Sequence, residues 1–134
     1  MSRENVEIVR RLYALAAQGD EAVWDLVPPD FVFDFSRRLI DPAILRGQAQ
    51  VRAFAEREGE AWEGGYTGWE PVELIDAGDK VLAFVRVSGR GKASGVDVEA
   101  RTWNVWTFRD GALAELAYFG ADRAQALKAM GLED

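Results

Sequence analysis

The chemistry open to this chain is limited from the start, because its 134 residues include no His and no Cys. His-based triads, thiol nucleophiles, zinc fingers and His metal sites are excluded. Any acid or base must be Asp, Glu, Tyr, Lys or a terminus. Three candidate catalytic residues stand out. Asn104 is an amide in the middle of an apolar strand face, Glu58 a carboxylate centred on the apolar side of a helix, and Asp34 a carboxylate between Phe33 and Phe35. An amide buried without a partner costs about 1–3 kcal/mol. Asn104 therefore either hydrogen-bonds a ligand carbonyl or oxyanion, or finds a partner in the protein such as Tyr118. Glu58, if desolvated, has its pKa raised and serves as a base; at the mouth of a cavity it is a solvated charge. Asp34 lies on the strand face opposite the phenylalanines, so only a bulge turns it inward. Otherwise it pairs with Arg37 or Arg38.

These residues need a frame, and the hairpin from Val96 to Tyr118 supplies its centre. Val96, Val98, Ala100, Thr102, Asn104, Trp106 and Phe108 alternate with Asp97, Glu99, Arg101, Trp103, Val105, Thr107 and Arg109. That period of two marks a strand with one face toward apolar material and one toward water or a partner. The turn sets the register. A two-residue Asp110-Gly111 turn puts Trp106 opposite Glu115. A three-residue loop, Arg109-Asp110-Gly111, pairs Phe108 with Ala112 and Asn104 with Leu116. The second brings Ala112, Ala114, Leu116 and Tyr118 beside the apolar set and keeps Glu115 out. The three-residue loop is the expectation.

Around the hairpin, the pattern gives a helix from Ser2 to about Gln18, stopped by Gly19. Asp20 caps a short helix that Pro28-Pro29 ends. Phe31 to Phe35 is a strand, and Ser36 to Arg46 an irregular connection. A helix follows Gly47 and runs to about Trp62, with Val51, Phe54, Ala55, Glu58 and Trp62 on one side. Tyr66 to Ile75 is a strand broken by Gly68 and Pro71. Lys80 to Ser88 is another, with Val81, Ala83, Val85 and Val87 on one face. SGRGKASG is a flexible connection, without the spacing of a phosphate-binding loop. Asp122 to Met130 is a closing helix with Gly131 after it. This order of elements is α+β.

Composition narrows the class. At 49% apolar residues with five Trp, the chain is globular and holds one domain over residues 1–134. A net charge of −7 argues against nucleic acid or an anionic membrane surface as partner. No apolar run approaches a membrane span, and the charged N-terminus has no signal-peptide core, so the expected location is cytoplasmic.

The segments SRENVEIVRRLYALAAQGD, DFVFDF, LRGQAQVRAF, LIDAGDKVLAFVRVSGRG and VWTFRDGALAELAYF, taken together, resemble a SnoaL-like domain of the nuclear transport factor 2-like superfamily. The resemblance covers nearly the whole chain. It implies a cone: a strongly curved antiparallel sheet with helices covering its concave face. Relatives include ketosteroid isomerases, polyketide cyclases, epoxide hydrolases and non-catalytic binding domains. In the ketosteroid isomerase pattern the tyrosine position falls on Leu12, beside Tyr13. The base position falls on Phe35, beside Asp34, and the protonated acid on Asn104. The epoxide hydrolase pattern falls on Thr102, Asn104 and Leu116, which lack its charges.

The expectation is a pocket for a small hydrophobic molecule, with no cofactor and no metal. Trp106, Tyr118, Trp62, Phe33 and Phe35 line it unless they are simply core. Thr102 and Leu116, positions taken from the resemblance, join them, as does Tyr13 beside the tyrosine position. In an enzyme of this kind, Asn104 polarises a carbonyl while Glu58 or Asp34 moves a proton. The rival is a non-catalytic module with a self-filled cavity. Trp103, Val105 and Ala117 form an outer apolar patch, ringed by Arg101, Glu115 and Arg86, that a homodimer would cover.

Overall fold

The computed structural model describes residues 2–39, 41–65 and 68–132. Three helices, α1 (Ser2–Ala17), α2 (Gln48–Gly59) and α3 (Arg123–Met130), accompany six strands. The strands are β1 (Val32–Asp34), β2 (Ile44–Arg46), β3 (Gly68–Asp76), β4 (Lys80–Arg90), β5 (Asp97–Arg109) and β6 (Ala112–Gly120). They form one open sheet in the order β2-β1-β6-β5-β4-β3. Tyr66 and Thr67, where the third strand was expected to start, lie outside the described residues.

The sheet is mixed, not antiparallel throughout: β1 runs parallel to β6, with Phe33 beside Leu116. The connection after β1 is not wholly irregular either. Residues 44–46 return as β2 along β1, so β1 is an inner strand despite its length. The helix expected to reach Trp62 ends at Gly59, and Trp62 instead bridges Gly91 at the tip of the β4–β5 hairpin. The segment Glu21–Leu26 is a 3₁₀ turn, capped by Asp20 as its sequence foretells. The stretch taken as a flexible connection is partly strand: β4 continues to Arg90.

The hairpin departs most instructively. Its turn is the two-residue Asp110-Gly111, with Arg109 opposite Ala112 and both turn residues at positive φ (54° and 78°). Such a turn matches the strand twist. Alone it would bring Glu115 opposite Trp106. A bulge at Ala114 absorbs one residue, so Thr107 meets Glu115 and Trp106 meets Leu116. The expected faces for Leu116, Tyr118 and Glu115 are reached by this other route. Asn104 lies opposite Tyr118, not Leu116, and a second bulge follows at Phe119.

Two apolar cores result. On the inner face, α1 and the 3₁₀ turn pack on Val81, Ala83, Val85, Trp106, Phe108, Leu113 and Leu116. Val9 and Tyr13 of α1 are buried there, and so is Val51 of α2. On the outer face, Ala126, Leu127 and Met130 of α3 cover Leu82, Val105, Ala117 and Phe119. The helices therefore do not all lie on the concave face. This also removes most of the outer patch: Val105 and Ala117 are 2% and 7% exposed in a single chain. Gly131 in the left-handed conformation and the Leu132 N–H to Leu127 C=O bond (2.9 Å) close α3 as expected.

Candidate ligand site on the inner face

Asn104 is fully buried at the middle of β5, between Ala83 of β4 and Tyr118 of β6. Alternation puts Thr102 on the same face one pleat away, and Asn104 Nδ2 donates to Thr102 Oγ1 at 3.2 Å. Asn104 Oδ1 has no partner among the described residues. Tyr118, the protein partner considered for it, is a cross-strand neighbour whose hydroxyl makes no hydrogen bond to it. A buried acceptor without a donor costs about 1–3 kcal/mol, and native interiors rarely leave one.

Toward the hairpin turn, the face is closed below Asn104. Trp106 Nε1 donates to Tyr13 Oη at 3.0 Å, and the two rings meet edge to face at 5.6 Å. Phe31 stacks on Trp106 at 6.3 Å. Burial, only partly offset by the indole bond, pushes the Tyr13 hydroxyl well above its ordinary range. Trp106, Tyr13 and Leu116, expected as lining, form a packed floor. Tyr13, one residue from the tyrosine position of the resemblance, has its hydroxyl engaged by Trp106.

Away from the turn the face opens. Phe33 and Tyr118 remain half-buried on it, and Ala100 and Val98 further along β5 are exposed. Phe33 stacks on Phe35 at 3.9 Å, and Phe35 leans on Tyr118 at 5.4 Å and Phe54 at 5.1 Å. An aromatic wall thus runs from beside Asn104 to α2. Trp62 stands half-buried at the far rim.

Glu58 lies at that rim. The i, i+4 step from Phe54 keeps it on the same side of α2, where it accepts from Arg38 Nη1 at 2.9 Å. The Arg38 guanidinium sits over Phe35 (5.3 Å) and Phe54 (5.5 Å). A cleft of about 380 Å³ lined by Asp41, Pro42, Ala43, Phe54, Arg57 and Glu58 adjoins the pair. Arg38 is the functional candidate that the sequence reading missed. Its meeting with Glu58 spans 20 residues, and no local pattern encodes it.

Asp34 faces the other way. Its register partner is Ala117 of the outer core. Its carboxylate accepts from Ser36 N–H at 2.9 Å and from Arg37 at 3.4 Å. Burial alone would raise its pKa, but the Ser36 hydrogen bonds and the Arg37 charge outweigh burial and hold it below the ordinary carboxylate range. The strand has no bulge there to turn it inward. The three catalytic candidates are not brought together: Asn104 is interior, Glu58 is tied up at the rim, and Asp34 is across the sheet. Among the described residues, no group of three or more Asp or Glu side chains is placed to hold a metal ion.

This fold and inner face define a cone-type α+β domain of the nuclear transport factor 2-like kind. The sequence matches the SnoaL-like domain family over residues 9–116, and the chain belongs to that family. A comparison with curated proteins finds no match. Among solved structures, Bal32a from a soil-derived mobile gene cassette superposes with a TM-score of 0.79 at 20% identity, over 90% of this chain and 92% of that one. An NTF2-like protein from Burkholderia thailandensis E264 gives 0.73 at 26% identity, covering 91% and 95%. TerC, co-crystallised with polyporic acid, gives 0.75 at 20% identity, covering 96% and 98%.

Proposed function

We propose that the chain binds a flat, hydrophobic small molecule against the Phe33–Phe35–Tyr118 wall, with Asn104 and Thr102 as its polar anchor. The fully buried Asn104 carboxamide with its unpaired Oδ1 carries this reading. The free atom is an acceptor, and Nδ2 keeps a second hydrogen beyond its Thr102 bond. That favours a ligand presenting a hydroxyl next to a carbonyl over one presenting a carbonyl alone. An enol or phenol beside a ketone has this character. TerC's co-crystallisation with polyporic acid supports a ligand class of this kind.

Binding is the better supported part of the expectation. Proton transfer of the isomerase, cyclase or lyase type would need a base, and Glu58 is the one candidate carboxylate on the α2 side of the aromatic wall, engaged there by Arg38. The test is a thermal-shift and calorimetric titration with hydroxyquinones, phenols and simple ketones on wild type, Asn104→Leu and Thr102→Val. A ligand held by the folded state alone raises Tm by mass action. The expected outcome is stabilisation of wild type by hydroxy-ketones above plain ketones, lost in Asn104→Leu. Stabilisation that survives in Asn104→Leu sinks the anchor. No shift with any compound favours the self-filled cavity.

A further inference from the structure

β6 stops at Gly120, opposite Trp103, while β5 runs on to Asp97. From residue 97 to 101 the long strand pairs with β4 on one edge and, among the described residues, with no strand on the other. The ladder phase is fixed at both ends, because Gly91 N–H donates to Val96 C=O (3.0 Å) and Phe108 N–H to Asp79 C=O (2.7 Å). Even-numbered residues of β5 therefore bond to β4, and the N–H and C=O of Glu99 and Arg101 point away from it. Residues 97–101 are all exposed, Val98 at 45% on the inner-face side. A free edge of this kind is a template for another strand.

Its charges say which strand. Arg101 lies directly opposite Arg86, a like pair across the ladder. Arg86 is answered by Glu70 at 3.1 Å, whereas Arg101 and Glu99 have no ion-pair partner among the described residues. We propose that residues 98–102 of this edge pair antiparallel with the same residues of a second copy of the chain, about a two-fold axis at Ala100. Glu99 then faces Arg101 of the partner subunit twice over, and each such pair exchanges both backbone hydrogen bonds. An axis at Glu99 would set that carboxylate against itself. On the inner face the pairing sets Val98 beside Thr102 of the partner subunit, which extends the wall next to Asn104 and covers the exposed Val98 and Ala100.

Sedimentation equilibrium on the full chain tests this with four variants. Arg101→Glu puts carboxylates opposite each other and also removes the Arg86 clash, so the subunit stays folded. Glu99→Pro deletes an outward N–H without touching the β4 ladder. Each should raise the dimer dissociation constant by at least about tenfold, the equivalent of about 1.4 kcal/mol. Glu99→Arg/Arg101→Glu should restore the dimer, and Phe84→Ser on the outer face should leave it unchanged. A wild type that is monomeric at every concentration overturns the proposal. So does a dimer that ignores the first two variants, or one lost in Phe84→Ser, which marks association through the outer face.

Discussion

Asn104 and Thr102 share one hydrogen bond while Asn104 Oδ1 stays unpaired, and that asymmetry has a stability signature. Replacing both partners by apolar groups of similar shape, as in Asn104→Leu/Thr102→Val, removes the unpaired acceptor without orphaning the hydroxyl. The double variant should gain about 1–3 kcal/mol in urea unfolding, while losing the ligand. Tyr13 makes a second residue-scale prediction. Its folded-state pKa is raised above the ordinary 10.0, so the folded chain holds it neutral while the unfolded chain ionises it. The stability it contributes is complete below pH 10 and falls away as pH rises beyond that. Tyr13→Phe should cost about 1–3 kcal/mol at neutral pH, because Trp106 N–H is left unpaired. Its deficit against wild type should shrink above pH 10 in a stability–pH series.

At the scale of elements, the hairpin shows how turn and bulge divide the setting of register. Gly111 occupies the left-handed region at φ 78°, and a Cβ there meets nothing within 4 Å. Gly111→Ala therefore tests backbone strain alone, and should cost about 1 kcal/mol in thermal unfolding. A larger loss would mean the substitution has moved the register. The alternation in β5 was legible because every second residue from Val98 to Phe108 lies on one face of the sheet. The bulge at Ala114 was not. A bulge residue leaves the period on each side intact, so only the partner strand reveals it. The Arg38–Glu58 pair was hidden for a related reason: Arg38 reads as an ordinary surface charge until chain reversal sets it 2.9 Å from Glu58.

Across the whole molecule the decisive element is α3. It gives the sheet a second core and accounts for much of the outer apolar stripe without a partner. Leu127, 6% exposed, packs among Leu82, Val105, Ala117 and Phe119. Leu127→Ala should cost about 2–5 kcal/mol, measured as the shift in urea midpoint at constant slope. A cost near zero would mean α3 only rests on the sheet. With α3 in place, the outer face offers less apolar surface for the homodimer expected there, and the proposed pairing uses the strand edge at Glu99 and Arg101 instead. No helix of the described residues is long and apolar enough to cross a membrane.

The sequence by itself determined the α+β class, the family, the positions of most elements and the limits on chemistry. Periodicity, caps and the absence of His and Cys are properties of short windows or of composition, and need no partner to be read. It also singled out Asn104, because one amide in an apolar row is a local anomaly. Tertiary structure alone decided that β1 runs parallel to β6, that α3 covers the far face, and that Trp106 and Tyr13 close the floor. Each of these depends on which strands lie side by side and on which face a helix lands. Those choices are made by contacts between residues far apart in the chain, whose energies no local pattern contains.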